Sequence, residues 1–170
     1  NAVSIEIDER DIPLIREMPF VSRVRPVAAS TFRYPELTPI SGTLQAVTDL
    51  QLQQIGLDML HSRGWTGEGI TVGILDSGFN LEHELFAGTQ VLSMYDFVDD
   101  DPDPSQQSGD PPGQSDHGTA VLSVMGGYFQ DQFVGGVPDA GFILAKTEDT
   151  SDEYQAEEDY WVAGLEWVES

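Results

Sequence analysis

The stretch that most constrains this chain is Gly69-Ile70-Thr71-Val72-Gly73-Ile74-Leu75-Asp76-Ser77-Gly78. Ile70 to Leu75 is an apolar run of β-branched character without polar alternation. It ends in a carboxylate, Asp76, and a turn at Ser77-Gly78. A run this short and this apolar fits a strand buried on both faces. Such strands belong to parallel sheets in α/β folds, where function gathers at the carboxyl ends of the strands. Asp76 stands at such an end.

The flanking signals continue that pattern. Trp65 to Gly69 is a turn feeding the run. Val91 to Val98 reads as a second strand. It leads into Asp99-Asp100-Asp101-Pro102-Asp103-Pro104 and a loop rich in Gln, Ser, Gly and Pro that reaches Asp116. A loop this long inside a domain is usually functional or mobile. His117 to Met125 reads as a helix ended by Gly126-Gly127. Val137-Pro138-Asp139-Ala140-Gly141 announces a strand over Phe142 to Ala145. Glu157 to Glu169 reads as a helix carrying Trp161, Leu165 and Val168 inward. This β-β-α-β-α order predicts an α/β fold, a mainly parallel sheet with flanking helices.

Upstream, Asp49 to Arg63 reads as a helix capped by Asp49 and stopped by Gly64, with Leu52, Ile55, Met59 and Leu60 buried. Ser30 to Thr48 mixes prolines, glycine and hydroxyls and reads as a linker. Residues 3–7 and 21–27 read as strands around a helix from Asp8 to Met18. That α+β unit is too small to hold a core alone. The expected division is 1–35, a small α+β segment; 36–48, a linker; and 49–170, the body.

Charge narrows the partners. The net charge is −23, and it is uneven: residues 1–63 hold 8 acids and 6 bases, whereas residues 64–170 hold 22 acids against Lys146 alone. Such a surface repels nucleic acid and anionic membranes. No apolar run is long enough to span a bilayer. The chain has no cysteine, which excludes disulfides, thiolate chemistry and Cys-ligated zinc.

Two short motifs carry the chemistry. One is Asp76-Ser77-Gly78 after the buried strand; the other is His117-Gly118-Thr119 at a helix start. A carboxylate at a strand end can accept the Nδ1–H of an imidazole, fixing its tautomer and stabilising the imidazolium formed when it takes a proton. The positive end of a helix dipole disfavours an imidazolium, so a histidine there is disposed to accept a proton. Gly118 lets the helix begin close to a neighbouring backbone. Each motif alone is commonplace; their conjunction, with strand and helix in the right places, is not.

These stretches resemble the subtilisin-like serine peptidases (subtilases, peptidase family S8), whose chain order is Asp, His, Ser. The likeness is carried by Gly67 to Gly78, by His117-Gly118-Thr119-Ala120-Val121-Leu122-Ser123, and by Gly136-Val137-Pro138-Asp139-Ala140. The resemblance implies that Asp76 is the triad acid and His117 the base of an endopeptidase. It also implies a polypeptide substrate, no required cofactor, and secretion from a bacterium. Residues 1–35, with Val21-Ser22-Arg23-Val24, resemble the end of the family's inhibitory propeptide. The family often binds structural Ca²⁺ in surface loops, and Asp99, Asp101 and Asp103 are the weak metal candidates here, joined by Asp100 in the acidic run.

The departure from the family pattern is large. No Gly-Thr-Ser occurs in these residues, and Ser77, Ser115 and Ser123 lie too close in sequence to Asp76 or His117 to be the nucleophile. The expectation is therefore the N-terminal part of a peptidase, its C-terminal half absent and the isolated piece inactive. The alternative is a non-catalytic homologue or cation-binding module that uses its acidic face. A metal-dependent hydrolase built on Asp76 and His117 lacks a third well-placed ligand. His61, His83, Glu148 and Asp149 read as ordinary helix, surface and loop side chains.

Overall fold

The structure, a computed structural model, describes residues 5, 7–25, 48–151 and 156–170. In chain order the described helices and strands are α1 (Ile12–Arg16), α2 (Asp49–Gln54), α3 (Leu57–His61), β1 (Thr71–Asp76), β2 (Gln90–Asp96), α4 (Asp116–Gly126), β3 (Tyr128–Phe129), β4 (Phe133–Val134), β5 (Gly141–Lys146) and α5 (Ala156–Val168). The fold is α/β, as expected. β1, β5 and β2 form a parallel sheet in that order, with β5 in the middle.

Burial follows from that order. β5 is paired on both sides, and all its residues but Ile143 are buried. β1 lies at a sheet edge among the described residues. The expected two-sided burial holds only for its C-terminal half: Ile74 and Asp76 are buried, whereas Thr71 is exposed and Ile70 precedes the strand at 57% exposure. Side chains alternate across a strand, and the two faces of β1 meet different helices. Ile74 joins Phe79, Phe86, Leu122, Phe142 and Leu144 in the core under α4. Gly73, on the opposite face, lies under α5, where a Cβ would fall 2.5 Å from Val168 Cγ1.

Several expectations need correction. α5 does not turn Trp161 and Leu165 inward; they are 49% and 37% exposed. The helix docks instead through Gly164, where a Cβ would meet Thr147 Cγ2 at 2.9 Å, and through Trp167, whose ring packs against Tyr95 and Phe97. The missing side chain at Gly164 draws the backbone onto the sheet and rotates the contact stripe. The single helix expected over 49–63 is two, because Gly56 takes a left-handed φ of 74° between them. Ile55 and Met59 are consequently exposed, at 71% and 59%. Thr48, not Asp49, precedes α2, and its hydroxyl accepts the Val134 N–H at 3.0 Å instead of capping. The β3–β4 hairpin was not legible as strands of only two residues each.

At the N-terminal side, Asp8 caps a 3-10 turn, Glu9–Asp11, that runs into α1. The helix ends at Arg16 and not Met18, and residues 21–25 are irregular instead of a strand. Most of the expected strand over 3–7, residues 26–27 and the linker over 36–47 lie outside the described residues.

Parallel register brings three ionisable groups to one sheet edge: Asp76 and Asp96 both stand opposite Lys146. Lys146 is fully buried, and its Nζ lies 2.8 Å from Asp96, 3.0 Å from Asp99 and 3.2 Å from Asp110. Burial opposes the ammonium charge, but hydrogen bonds to these carboxylates outweigh it and hold Lys146 above the ordinary lysine value of 10.5. Burial pushes the Asp96 carboxyl up, while Lys146 and the N–H groups of Asp99 and Val98 pull it down. This cluster ties the loop after β2 to the central strand. Removing one partner of a buried ion pair strands the others. Lys146→Met is expected to cost about 3–5 kcal/mol in denaturant unfolding at pH 7. The folded state favours the charged lysine, so this contribution is complete below pH 10.5 and is lost as pH rises from there towards the raised folded value. The gap between wild type and variant should therefore narrow above pH 10.5.

Candidate active site

Two local structures meet at Asp76. β1 ends there, its side chain on the α4 face of the sheet. α4 begins one residue before His117. The two are brought together by glycine. A Cβ on Gly118 would lie 2.2 Å from the Gly78 carbonyl oxygen and 3.0 Å from Asp76 Oδ1. Only a residue without a side chain lets the helix start this close to the turn. Thr119 fastens the same junction: its Oγ1 accepts the Asn80 N–H at 2.8 Å and donates to the Ser115 carbonyl at 2.5 Å.

His117 Nδ1 then lies 2.9 Å from Asp76 Oδ1 and 3.1 Å from Oδ2. The carboxylate is buried, with 7% of its side chain exposed, whereas the imidazole is 42% exposed. An ionised carboxylate only accepts, so Nδ1 carries the proton in this contact, and a neutral ring presents its lone pair at Nε2. Asp76 is itself held in place. Its Oδ1 accepts from the Ser77 N–H at 2.7 Å and from the Ser77 hydroxyl at 3.1 Å. The arrangement is a half-open imidazole whose tautomer is set by a buried carboxylate, the geometry that general-base chemistry requires.

The structure also places the other residues singled out from sequence. Ser77 donates to Asp76 and Ser123 to the Ala120 carbonyl, while Ser115 is buried. The Ser77 and Ser123 hydroxyls are thus spent on Asp76 and on the helix backbone. The acidic run does not fit a metal ion. Asp99 pairs with Lys146, Asp101 accepts from the Asp103 N–H and the Gln107 amide, and Asp103 accepts from the Ser105 N–H. Asp100 accepts the Tyr95 hydroxyl. Among the described residues no three His, Asp or Glu converge as metal ligands would. His83 caps the short turn Glu84–Phe86 by accepting the Leu85 N–H, and a His61 ring N–H donates to the Gly136 carbonyl. Asp149 Oδ1 accepts the Ser151 N–H. The Gly136–Ala140 turn is pinned to the segment feeding β1, through Asp139 N–H to the Thr66 carbonyl and the Thr66 hydroxyl to Asp139.

Two residues escaped the sequence reading. Lys146 had a signal, being the one base among 22 acids at the end of a buried strand. Gln114 had none; its side-chain hydrogen bonds are all long-range.

The family model described as the subtilase family matches residues 67–165, and the chain belongs to that family. Among curated relatives, the minor extracellular protease Vpr of Bacillus subtilis is 29% identical over 131 residues, covering 74% of this chain and 16% of its own length. Subtilisin E of the same organism is 26% identical over 170 residues, covering 99% of this chain and 39% of its own. A solved cold-adapted subtilisin-like serine proteinase is 30% identical at a TM-score of 0.45, covering 61% of this chain and 33% of that one. The chain thus spans well under half the length of these relatives.

The crowding at Gly118 makes a sharp prediction. Gly118→Ala must push α4 off β1 and is expected to cost about 1–3 kcal/mol in denaturant unfolding. Gly88→Ala, whose Cβ would meet nothing within 4 Å, serves as control and should stay within about 0.5 kcal/mol of wild type.

Proposed function

We propose that this chain is the Asp- and His-bearing part of a secreted serine endopeptidase. His117 takes the proton from a serine hydroxyl as that oxygen attacks the scissile carbonyl, and later returns it to the leaving amine. Asp76 holds the imidazole in the required tautomer and stabilises the imidazolium. The single observation that carries this reading is the 2.9 Å contact between Nδ1 of a half-exposed His117 and a buried Asp76, in subtilase order.

The nucleophile belongs, in this proposal, to sequence outside these 170 residues, because no Gly-Thr-Ser occurs within them. The substrate is a polypeptide, and the reaction uses protein groups only. Secretion is supported by the relative named as an extracellular protease. No helix among the described residues is long and apolar enough to cross a membrane. The division into 1–35 as propeptide remnant, 36–48 as linker and 49–170 as catalytic part belongs to the same proposal.

The test is peptide hydrolysis by the full-length protein. Asp76→Asn keeps the shape of the side chain but gives Nδ1 a partner that can also donate. It is expected to lower kcat on the order of 10⁴-fold while KM changes little. A variant with near-normal kcat would remove Asp76 from the mechanism. A wild-type protein with no hydrolytic activity would favour the non-catalytic module.

A further inference from the structure

We infer that Gln114 is a positioning residue for the Asp76–His117 pair. Its side-chain amide joins three segments that converge on the site. Nε2 donates to the Ser77 carbonyl at 2.7 Å and to the Glu148 carbonyl at 2.6 Å. Oε1 accepts from the Thr150 N–H at 2.9 Å and from the Thr150 hydroxyl at 2.8 Å. A primary amide has two N–H donors and two acceptor lone pairs, so this side chain is saturated. The partners also fix which way it points: two carbonyls demand the NH₂ end, and the Thr150 N–H demands the oxygen.

The location gives the contacts their meaning. Gln114 is 1% exposed and lies three residues before His117. The backbone between them is already tight, with Asp116 N–H on the Gly113 carbonyl and Thr119 N–H on the Ser115 carbonyl, so a displaced Gln114 displaces the first turn of α4. At its other end the amide grips the residue directly after Asp76. It therefore spans the pair from outside, fixing the His-bearing turn to the Asp-bearing turn. The third segment, 148–150, follows β5 at the same sheet edge as Asp76, where α/β proteins meet their ligands. An apolar residue of similar size would fill the volume but leave two carbonyls and an N–H without their partner, at a cost borne by the junction itself.

The consequence for turnover rests on the peptidase reading; the geometry does not. The test is therefore spectroscopic and needs no nucleophile. In ¹⁵N-labelled full chain, the His117 imidazole shifts report which ring nitrogen is protonated, and the Nδ1 proton's exchange with water reports how well Asp76 holds it. Gln114→Leu removes the amide, and Gln114→Glu sets a carboxylate oxygen against the Ser77 and Glu148 carbonyls. Both are expected to speed Nδ1 proton exchange roughly tenfold, the effect of losing a buried hydrogen-bonded partner, and to mix the tautomers. Phe86→Leu, a core truncation, is the control and should leave both signals unchanged. Folded Gln114 variants with wild-type imidazole signals would overturn the inference, as would an equal change in the control. Should neither Gln114 variant fold, Thr150→Val decides: it removes only the hydroxyl donor to Oε1, and roughly twofold faster exchange is expected, no change being the contrary result. A positive spectroscopic result in a full-length protein that hydrolyses no peptide would uphold Gln114 and reject the peptidase.

Discussion

The close approach of α4 to the end of β1 is the constraint on which the site depends. The hydrogen bond from His117 to Asp76 is a consequence of it. A strand delivers a buried carboxylate at a sheet edge, and a helix starting beside it delivers an imidazole; neither makes chemistry alone. The gap between them is set by the absence of a side chain at Gly118, with Gly78 O at what would be 2.2 Å. Everything that holds the helix start in place, Thr119 and Gln114 above all, acts on that gap.

A second constraint operates beside it. The sheet's C-terminal edge collects Asp76, Asp96 and Lys146 by register alone. Two of these groups neutralise each other, and Asp99 and Asp110 complete the shell around Lys146. This leaves Asp76 to the imidazole, and it anchors the long acidic loop that leads into α4. The loop's carboxylates thus serve the fold, as partners of an ammonium and of backbone N–H groups.

Sequence showed the parts whose signal is local. The run at 70–75, the turn after it and the His-Gly-Thr helix start gave the fold class and both members of the pair, because an apolar strand and a helix terminus are each written in consecutive residues. What depended on docking was not legible. α5 turns Gly164 inward in place of Trp161 and Leu165, since backbone contact with the sheet outweighed side-chain area. The break at Gly56 was hidden in an otherwise helical pattern. Gln114 looked like one more polar residue in a polar loop; only the fold places segments 77 and 148–150 around it.

The central claim is that His117, oriented by Asp76, activates a serine supplied from outside these residues. A fluorophosphonate that labels only activated serines tests it most directly. The account predicts labelling of the full-length protein, abolished by His117→Ala, and none of the 170-residue chain alone. Labelling of the 170-residue chain by itself, or of the full-length protein regardless of His117, would contradict it.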